Sequence, residues 1–309
     1  MDLKQLEYIV KIADEHSITH AAEKLYLTQS ALNQQLLRLE KELGIQLFYR
    51  RKFDWRPTPE GEVYLENARE ILRIKRKTYS IISDMAKTGK GHLSIGFTPG
   101  RGSEMFTHVY PAFHQEYQDI VVEPRELSVR RQQELIARND LDIGFQTLSE
   151  RQKTGDKYIT LGREEIFLAI PDGHPLSRNA GKAKGSLTSI DLSLLKYEPF
   201  VLMYKESTIR AITDEIFREA GFAPNVLFET SSSNTIVSMI QSRLCCGIIP
   251  YYYIKNKPEG ICCFSLPNHP GWDIAASCCK NAYLSDAAKN FIRLAKEFWE
   301  VDGMECIGL

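Results

Sequence analysis

Between Leu3 and Asp14 the apolar residues Leu6, Ile9, Val10 and Ala13 recur at the spacing of one helix face. The same period returns in "LTQSALNQQLLRLEKELG", Leu27 to Gly44, at Ala31, Leu32, Leu36, Leu39 and Leu43. Between these two helices lies a shorter one, "SITHAAEKL", opened by Ser17 as an N-cap. Its Ala21 and Ala22 are small enough to let another helix cross closely. Leu25 to Leu27 read as a three-residue turn. Thr28 caps the third helix, and Gly44 stands where a left-handed C-cap ends one. A further amphipathic run begins at "TPE", Thr58 to Glu60, with Pro59 in the first turn, and continues unbroken to about Lys87. Beyond it the texture changes to alternating short apolar runs and helical stretches.

A short helix, a three-residue turn and a longer helix form the helix-turn-helix pattern. The third helix carries Thr28, Gln29, Ser30, Asn33, Gln34 and Gln35 on its first two turns. Amides and hydroxyls donate and accept at once, which reading base edges requires. Taken alone, such a face could equally be a solvated one; its surroundings favour DNA. "LFYRRKFDWR" reads as a basic hairpin: a strand at Leu47–Tyr49, a turn at Lys52–Asp54, and a return through Trp55 and Arg56. Beside a recognition helix such a hairpin is a wing. Gln29, Ser30, Asn33 and Gln34 are expected at bases or nearby phosphates. Thr19, His20, Thr28, Arg38, Arg50, Arg51, Lys52 and Arg56 are expected along the backbone of double-stranded DNA.

In the long helix, Leu65, Leu72, Tyr79 and Ala86 repeat at seven, with Ala68, Lys75 and Ile82 between them. No domain of its own is evident to bury this stripe, so a second copy is the simplest cover and a homodimer is expected. "KTGKG", Lys87 to Gly91, reads as a hinge-like linker.

The alternating region predicts strands at "HLSIGF", "IVVEPREL" and "LDIGFQ", then a crossing segment "YITLGREEIFLAIP". A second set follows at "PFVLM", "VLFET" and "CCGIIP", then "DIAASCC" and a last helix from Ser285 to Trp299. Repeated β-α-β implies mostly parallel sheets flanked by helices, here as two lobes with a cleft between them. Ligands of such sheets sit at the carboxyl ends of strands. Those turns carry Thr98 to Ser103, Ser128, Ser207-Thr208 and Ser231 to Thr235, with Arg101, Arg130, Arg131 and Arg210 close by. Singly these are ordinary N-caps; together they favour a small, polar or anionic ligand.

Composition narrows the picture without changing it. Residues 1–90 hold 16 Lys+Arg and 13 Asp+Glu, a net of +3; the remainder hold 23 and 27, a net of −4. The basic excess in the first third permits a polyanionic partner. Seven cysteines, six of them as the doublets Cys245-Cys246, Cys262-Cys263 and Cys278-Cys279, form no disulfide framework and no CxxC. Neither a metal site nor a cofactor is expected. No apolar run reaches membrane-span length and the N-terminus is not a signal peptide, so a cytoplasmic protein with no membrane partner is expected.

The segment from Leu3 to Arg51 resembles the winged helix-turn-helix of the LysR-type transcriptional regulators. Its marks are Ala21-Ala22, Leu25, Gln29-Ser30-Ala31, Leu39-Glu40, Gly44, Leu47-Phe48 and Arg50. "PTPEG" resembles that family's linker-helix start, and "PDGHPL", "EPFVLM", "EAGFAPNVLFE" and "GIIP" resemble landmarks of its effector-binding domain. The resemblance implies an α+β and α/β chain. Its parts would be a winged helix-turn-helix at 1–58, a linker and dimerisation helix at 59–90, and a two-lobed, periplasmic-binding-protein-like effector domain at 91–309. Lobe I would take about 91–163 and 270–300, lobe II about 164–269. It also implies DNA-bound dimers or tetramers, promoter or operator DNA as partner, and a small-molecule effector. By position the effector residues would be Thr98, Pro99, Gly100, Ser128, Thr147, Met203, Ser207, Thr208 and Thr235, with Arg101 beside them. Asn33, "KESTIR" and "SVRRQQE" depart from common members and bear on base preference and ligand class. Two alternatives stay open: a regulator switched by cysteine oxidation, and an α/β enzyme. For the enzyme, "GRGSEM" lacks the third glycine of a dinucleotide loop, and no GxSxG or HExxH occurs.

Overall fold

A computed structural model of the chain describes residues 2–51, 54–179, 187–255 and 258–301. The chain divides after Gly91 into two compact units.

The first unit opens with α1 (Leu3–Glu15), α2 (Ile18–Lys24) and α3 (Gln29–Leu43). Each start is fixed by a side chain that takes up a free N–H of the first turn: Asp2 from Lys4, Ser17 from His20, Thr28 from Ala31. Gly44 closes α3 at φ 72°, a left-handed position that glycine occupies without steric cost. The strands β1 (Phe48–Arg51) and β2 (Asp54–Pro57) pair antiparallel, with Arg50 opposite Trp55 and Tyr49 opposite Arg56. Asp54, expected in the turn, is the first residue of the returning strand. Thr58 then caps α4 (Pro59–Ala86). Gly61 lies so close to the Leu47 carbonyl that a Cβ there would sit 2.0 Å from its oxygen, so only glycine lets α4 start under the wing.

Leu6, Ile9, Ile12, Leu32, Leu36, Leu47 and Phe48 form the centre of this unit, each no more than 1% exposed. Complete burial of one such side chain is worth about 1.5–3 kcal/mol. Leu65, Ala68 and Leu72 of α4 belong to the same core, which corrects the expectation that the stripe of α4 awaits a partner. Its first half is covered by α1, against which it packs, and Lys75 pairs with Glu7 at 2.8 Å. The second half leaves Ile74, Tyr79, Ile82 and Met85 exposed.

The second unit contains β3 (Gly91–Phe97), α5 (Arg101–Glu116), β4 (Ile120–Glu126), α6 (Val129–Ala137), β5 (Ile143–Leu148) and β6 (Lys157–Pro171). After these come β7 (Pro199–Met203), α7 (Thr208–Glu219), β8 (Asn225–Thr230), α8 (Ser233–Gln241), β9 (Gly247–Pro250), β10 (Ile261–Ser265), β11 (Gly271–Cys278) and α9 (Asp286–Val301).

The main sheet runs β10-β6-β11-β5-β3-β4, with β9 also on β6. β3 and β5 are parallel, as are β7 and β8. The expectation of mostly parallel sheets needs amending, because β11 runs antiparallel to β5 and β6, and β9 and β10 antiparallel to β6. The long strand β6 makes this necessary. Its first part, Lys157–Glu165, pairs with β11, and its last part, Ile166–Pro171, with β9 and β10. β10, "ICCFS", was not foreseen; its register on β6 sets Cys262 opposite Ile170 and Cys263 opposite Ala169.

Candidate DNA-reading surface and effector cleft

In the first unit α3 buries Leu32, Leu36, Leu39 and Glu40 and turns its polar front outward. Gln29, Ser30, Gln34 and Arg38 are exposed and Asn33 half-buried. Thr28 Oγ1 is taken up by the Ala31 N–H at 3.2 Å and lies 3.1 Å from Ser30 Oγ. Among the described residues, Gln29, Asn33, Gln34 and Arg38 make no side-chain hydrogen bond or ion pair within the chain. Thr19 and His20 are exposed on the first turn of α2. Arg56 is exposed on β2, and Arg51 ends β1. Lys52 lies outside the described residues, as does the side chain of Arg51.

Arg50, expected along the DNA backbone, keeps 32% of its side chain exposed and also has a partner inside the unit. Its guanidinium pairs with Glu40, a carboxylate only 6% exposed, and approaches the Trp55 ring at 5.9 Å. Sequence reasoning named Glu40 only as a mark of the resemblance and gave it no role, although the signal was present: it falls four residues after Leu36, in the stripe that must be buried.

In the second unit several of the turns expected to line a cleft lie next to one another in pairs. Thr98 follows β3, and the Leu127 N–H on the carbonyl of Phe97 at 2.9 Å brings Ser128 alongside. Thr147 lies on β5, the parallel neighbour of β3. Thr208 at the start of α7 donates to the Thr147 carbonyl at 2.8 Å. Met203 ends β7, with Ser233 Oγ 3.9 Å from its sulfur. Pro99 and Gly100 are exposed, and Gly100 takes φ 74° at the start of α5. Ser207 donates to the Tyr204 carbonyl at 2.8 Å and accepts from the Arg210 N–H. Thr235 is half-buried in the first turn of α8 and donates its N–H to Ser232.

The arginines expected near this cleft all have carboxylate partners within the chain. Arg101 is buried, lies 3.8 Å over the Tyr252 ring and 4.5 Å over Trp299, and pairs with Glu104 at 3.1 Å. Arg210 pairs with Asp214 and Glu229, both at 2.7 Å, and donates to the Met203 carbonyl. Arg130 and Arg131 both meet Glu134. Arg101 and Arg210 are therefore matched by carboxylates inside the chain, whereas Arg130 and Arg131 share the one carboxylate of Glu134 and stand exposed.

A second group, unremarked in the sequence, links α5, β6 and β11 to Tyr252. Glu104 accepts the Tyr252 hydroxyl at 2.8 Å. Glu164, 1% exposed, accepts the Tyr252 N–H at 3.0 Å and the Trp272 indole N–H at 3.1 Å. These residues are far apart in sequence, and no local pattern announces their meeting.

The cysteine doublets face as strand geometry requires. Cys246 lies in the main core and Cys245 in a smaller core on the other side; Cys262 and Cys263 divide the same way. The six described cysteines are free thiols. Burial pushes Cys245 up to about 11, and Cys246 and Cys263 to about 12. They are therefore thiols rather than reactive thiolates at neutral pH. Among the described residues no cluster of metal-ligating side chains occurs, and no helix is long and apolar enough to cross a membrane.

A winged helix-turn-helix with a polar recognition face, followed by a two-lobed unit, defines a DNA-binding transcription regulator. The model of the lysR-family bacterial regulatory helix-turn-helix protein matches residues 3–62, and that of the LysR substrate binding domain matches residues 86–300. The chain belongs to the LysR family of transcriptional regulators. It is 30% identical over 306 residues to the HTH-type transcriptional regulator YwbI of Bacillus subtilis, covering 97% of this chain and 98% of that one. It is 28% identical over 252 residues to AlsR of the same organism, covering 81% and 80%. Full-length OxyR from Pseudomonas aeruginosa has the same fold, with a TM-score of 0.68 at 24% identity, covering 96% and 94%. Full-length CbnR in complex with its target DNA superposes with a TM-score of 0.58 at 19% identity, covering 96% and 99%.

Proposed function

We propose that this regulator recognises a specific operator through α3 and answers to a small polar effector held between the lobes of its second unit. The observation that carries the first half is the front of α3, where Gln29, Ser30 and Gln34 stand exposed with Asn33 beside them. Gln29, Asn33 and Gln34 neither fold the chain nor pair within it, and Ser30 meets only the Thr28 hydroxyl, so this front is available for base edges. Thr19, His20, Thr28, Arg38, Arg51, Lys52 and Arg56 then meet phosphates and fix the register. The exposed second half of α4, with Ile74, Tyr79, Ile82 and Met85, is covered by a second copy, so the active species is a dimer reading two half-sites. Pairing of such dimers gives the tetramer, and the setting is the cytoplasm.

Thr98, Ser128 and Thr235 offer the effector hydroxyls, with Pro99, Gly100, Thr147, Met203, Ser207 and Thr208 around them. Because Arg101 and Arg210 are already matched by carboxylates, a neutral or zwitterionic effector suits the cleft better than a simple anion. The chain acts by binding rather than by turnover.

Titration of the full chain with its own upstream DNA, against competitor duplex at moderate salt, tests the reading. Specific binding should exceed competitor binding by about 10³ or more. Equal binding would overturn it. A thermal-shift screen of the full chain against amino acids, amides and carboxylates tests the cleft. A ligand at a hundred times its dissociation constant adds about 2.7 kcal/mol.

A further inference from the structure

Glu40 is a carboxylate where the pattern of α3 calls for an apolar residue. It is 6% exposed, in the stripe of Leu32, Leu36 and Leu39. A buried carboxylate is costly unless its oxygens are paired. Here both are: Oε1 accepts the Leu47 N–H at 2.9 Å, and Oε2 takes the Arg50 guanidinium. Leu47 leads into β1, and Arg50 lies within it, opposite Trp55 of β2. The Arg50 guanidinium is 5.9 Å from the centre of the Trp55 ring, so the link reaches the second strand as well.

The wing needs such a link. A two-stranded ribbon is marginal by itself, and each strand here has four residues. Its base is tied elsewhere by the Trp55 N–H on the His16 carbonyl at 3.1 Å and the Thr58 N–H on the Leu47 carbonyl at 2.9 Å. Those ties lead to α1 and to the start of α4. The tie through Glu40 leads to the recognition helix.

We infer that Glu40 is a positioning residue that holds the wing in register with α3 on DNA, and that Arg50 serves this link rather than a phosphate. The inference rests on the proposed docking of α3 and the wing on DNA and deepens it. It makes a prediction with an unusual sign. Glu40→Gln removes a negative charge from the DNA-binding unit, so long-range electrostatics alone would tighten binding to a polyanion. Loss of positioning weakens it.

The test uses the full chain and a duplex that the wild-type chain recovers from a randomised pool, titrated at several salt concentrations. Thermal melts confirm that each variant folds. Glu40→Gln is expected to bind about tenfold more weakly. The slope of log K against log salt should also fall, by about 0.9 for each phosphate that the wing no longer neutralises. Glu40→Gln with Arg50→Gln should bind no more weakly than Glu40→Gln alone, because the two side chains act as one unit. Wild-type or tighter binding by Glu40→Gln, with the slope unchanged, overturns the inference. A further drop in slope of about 0.9 in the double variant restores Arg50 to a phosphate and overturns its assignment here. Should Glu40→Gln not fold, the double variant, which strands no partner, carries the same test, and wild-type affinity in it is the overturning result. Arg56→Ala separates the two levels. If it changes neither affinity nor slope, the wing does not meet DNA and both readings fall. If it weakens binding while Glu40→Gln does not, only the positioning role falls.

Discussion

The polar front of α3 and the polar rim of the effector cleft use similar residues and hold them in opposite ways. Gln29 and Gln34 project from a helix whose other side is closed and pair with nothing in the chain, and Ser30 beside them meets only the Thr28 hydroxyl. Around the cleft, Arg101, Ser207, Thr208 and Arg210 are turned inward. Thr208 ties α7 to the Thr147 carbonyl, Ser207 caps α7, and Arg210 holds the end of β7 through Met203. The difference follows from the two partners. A duplex is large, rigid and always presents edges, so the reading groups can wait exposed. A small ligand enters a fold that must stand before it arrives, and most polar groups nearby are spent on that fold. On the proposed reading, a short set of hydroxyls remains for the ligand, and recognition by hydrogen bonding rather than by charge is expected.

Substitutions should therefore separate cleanly into those that cost stability and those that cost recognition. The largest effect is expected from Arg210→Met. It leaves Asp214, Glu229 and the Met203 carbonyl without their shared donor, and the second unit should lose roughly 3 kcal/mol. Urea unfolding followed by the fluorescence of Trp272 and Trp299 would report it. An unchanged midpoint would break the contrast, since Arg210 would then be as uncommitted as Gln34.

Gln34→Ala should do the reverse. Stability should stay within about 0.5 kcal/mol, while discrimination between the preferred duplex and a single-base variant falls by about 1–3 kcal/mol. Arg51→Ala sharpens the distinction within the first unit. It should weaken binding to every duplex by one common factor and lower the salt slope by about 0.9. If both variants lose affinity alike on all duplexes, the division into readers and anchors fails.

Within the cleft, Thr208→Val removes the hydrogen bond to Thr147 and should cost about 1 kcal/mol. Thr98→Val should leave stability and DNA binding intact and blunt the ligand response. Equal losses from the two would show that Thr98 is also part of the frame.

The smallest effect is expected at the cysteines. Raised to about 11 and about 12, the Cys245, Cys246 and Cys263 thiols favour the folded state while protonated. That contribution is complete below the ordinary thiol value of 9.0 and is lost as pH rises through 11 and 12. At pH 8 the native chain should resist iodoacetamide at all three, and mild peroxide should form no disulfide, as read by peptide mass spectrometry. Rapid native labelling would place a redox input beside the ligand.

What the sequence made legible was local. Ser17, Thr28, Gly44 and Thr58 cap helices because capping depends on neighbours within one turn, and the helix-turn-helix follows from them. The stripe of α4 misled, because period alone cannot say whether Leu65 and Leu72 meet a partner copy or α1 of the same chain. β10 and the antiparallel pairings of β6 were hidden, since they depend on which segment returns beside which. At the site, the identity of the polar residues could be read, but not their commitment. Whether Arg50 or Arg101 faces a ligand or an internal carboxylate is decided by Glu40 and Glu104, and a glutamate on a helix shows its burial only when the helix is packed.

The central claim is that the front of α3 reads sequence. Selection of duplexes from a randomised pool by the wild-type chain and by Gln34→Ala, at the same moderate salt, tests it most directly. The account predicts a wild-type consensus of two symmetric half-sites. The variant should lose preference at one position in each half-site and keep it elsewhere. Identical consensus sequences from the two proteins, or no enrichment by the wild type, would contradict it.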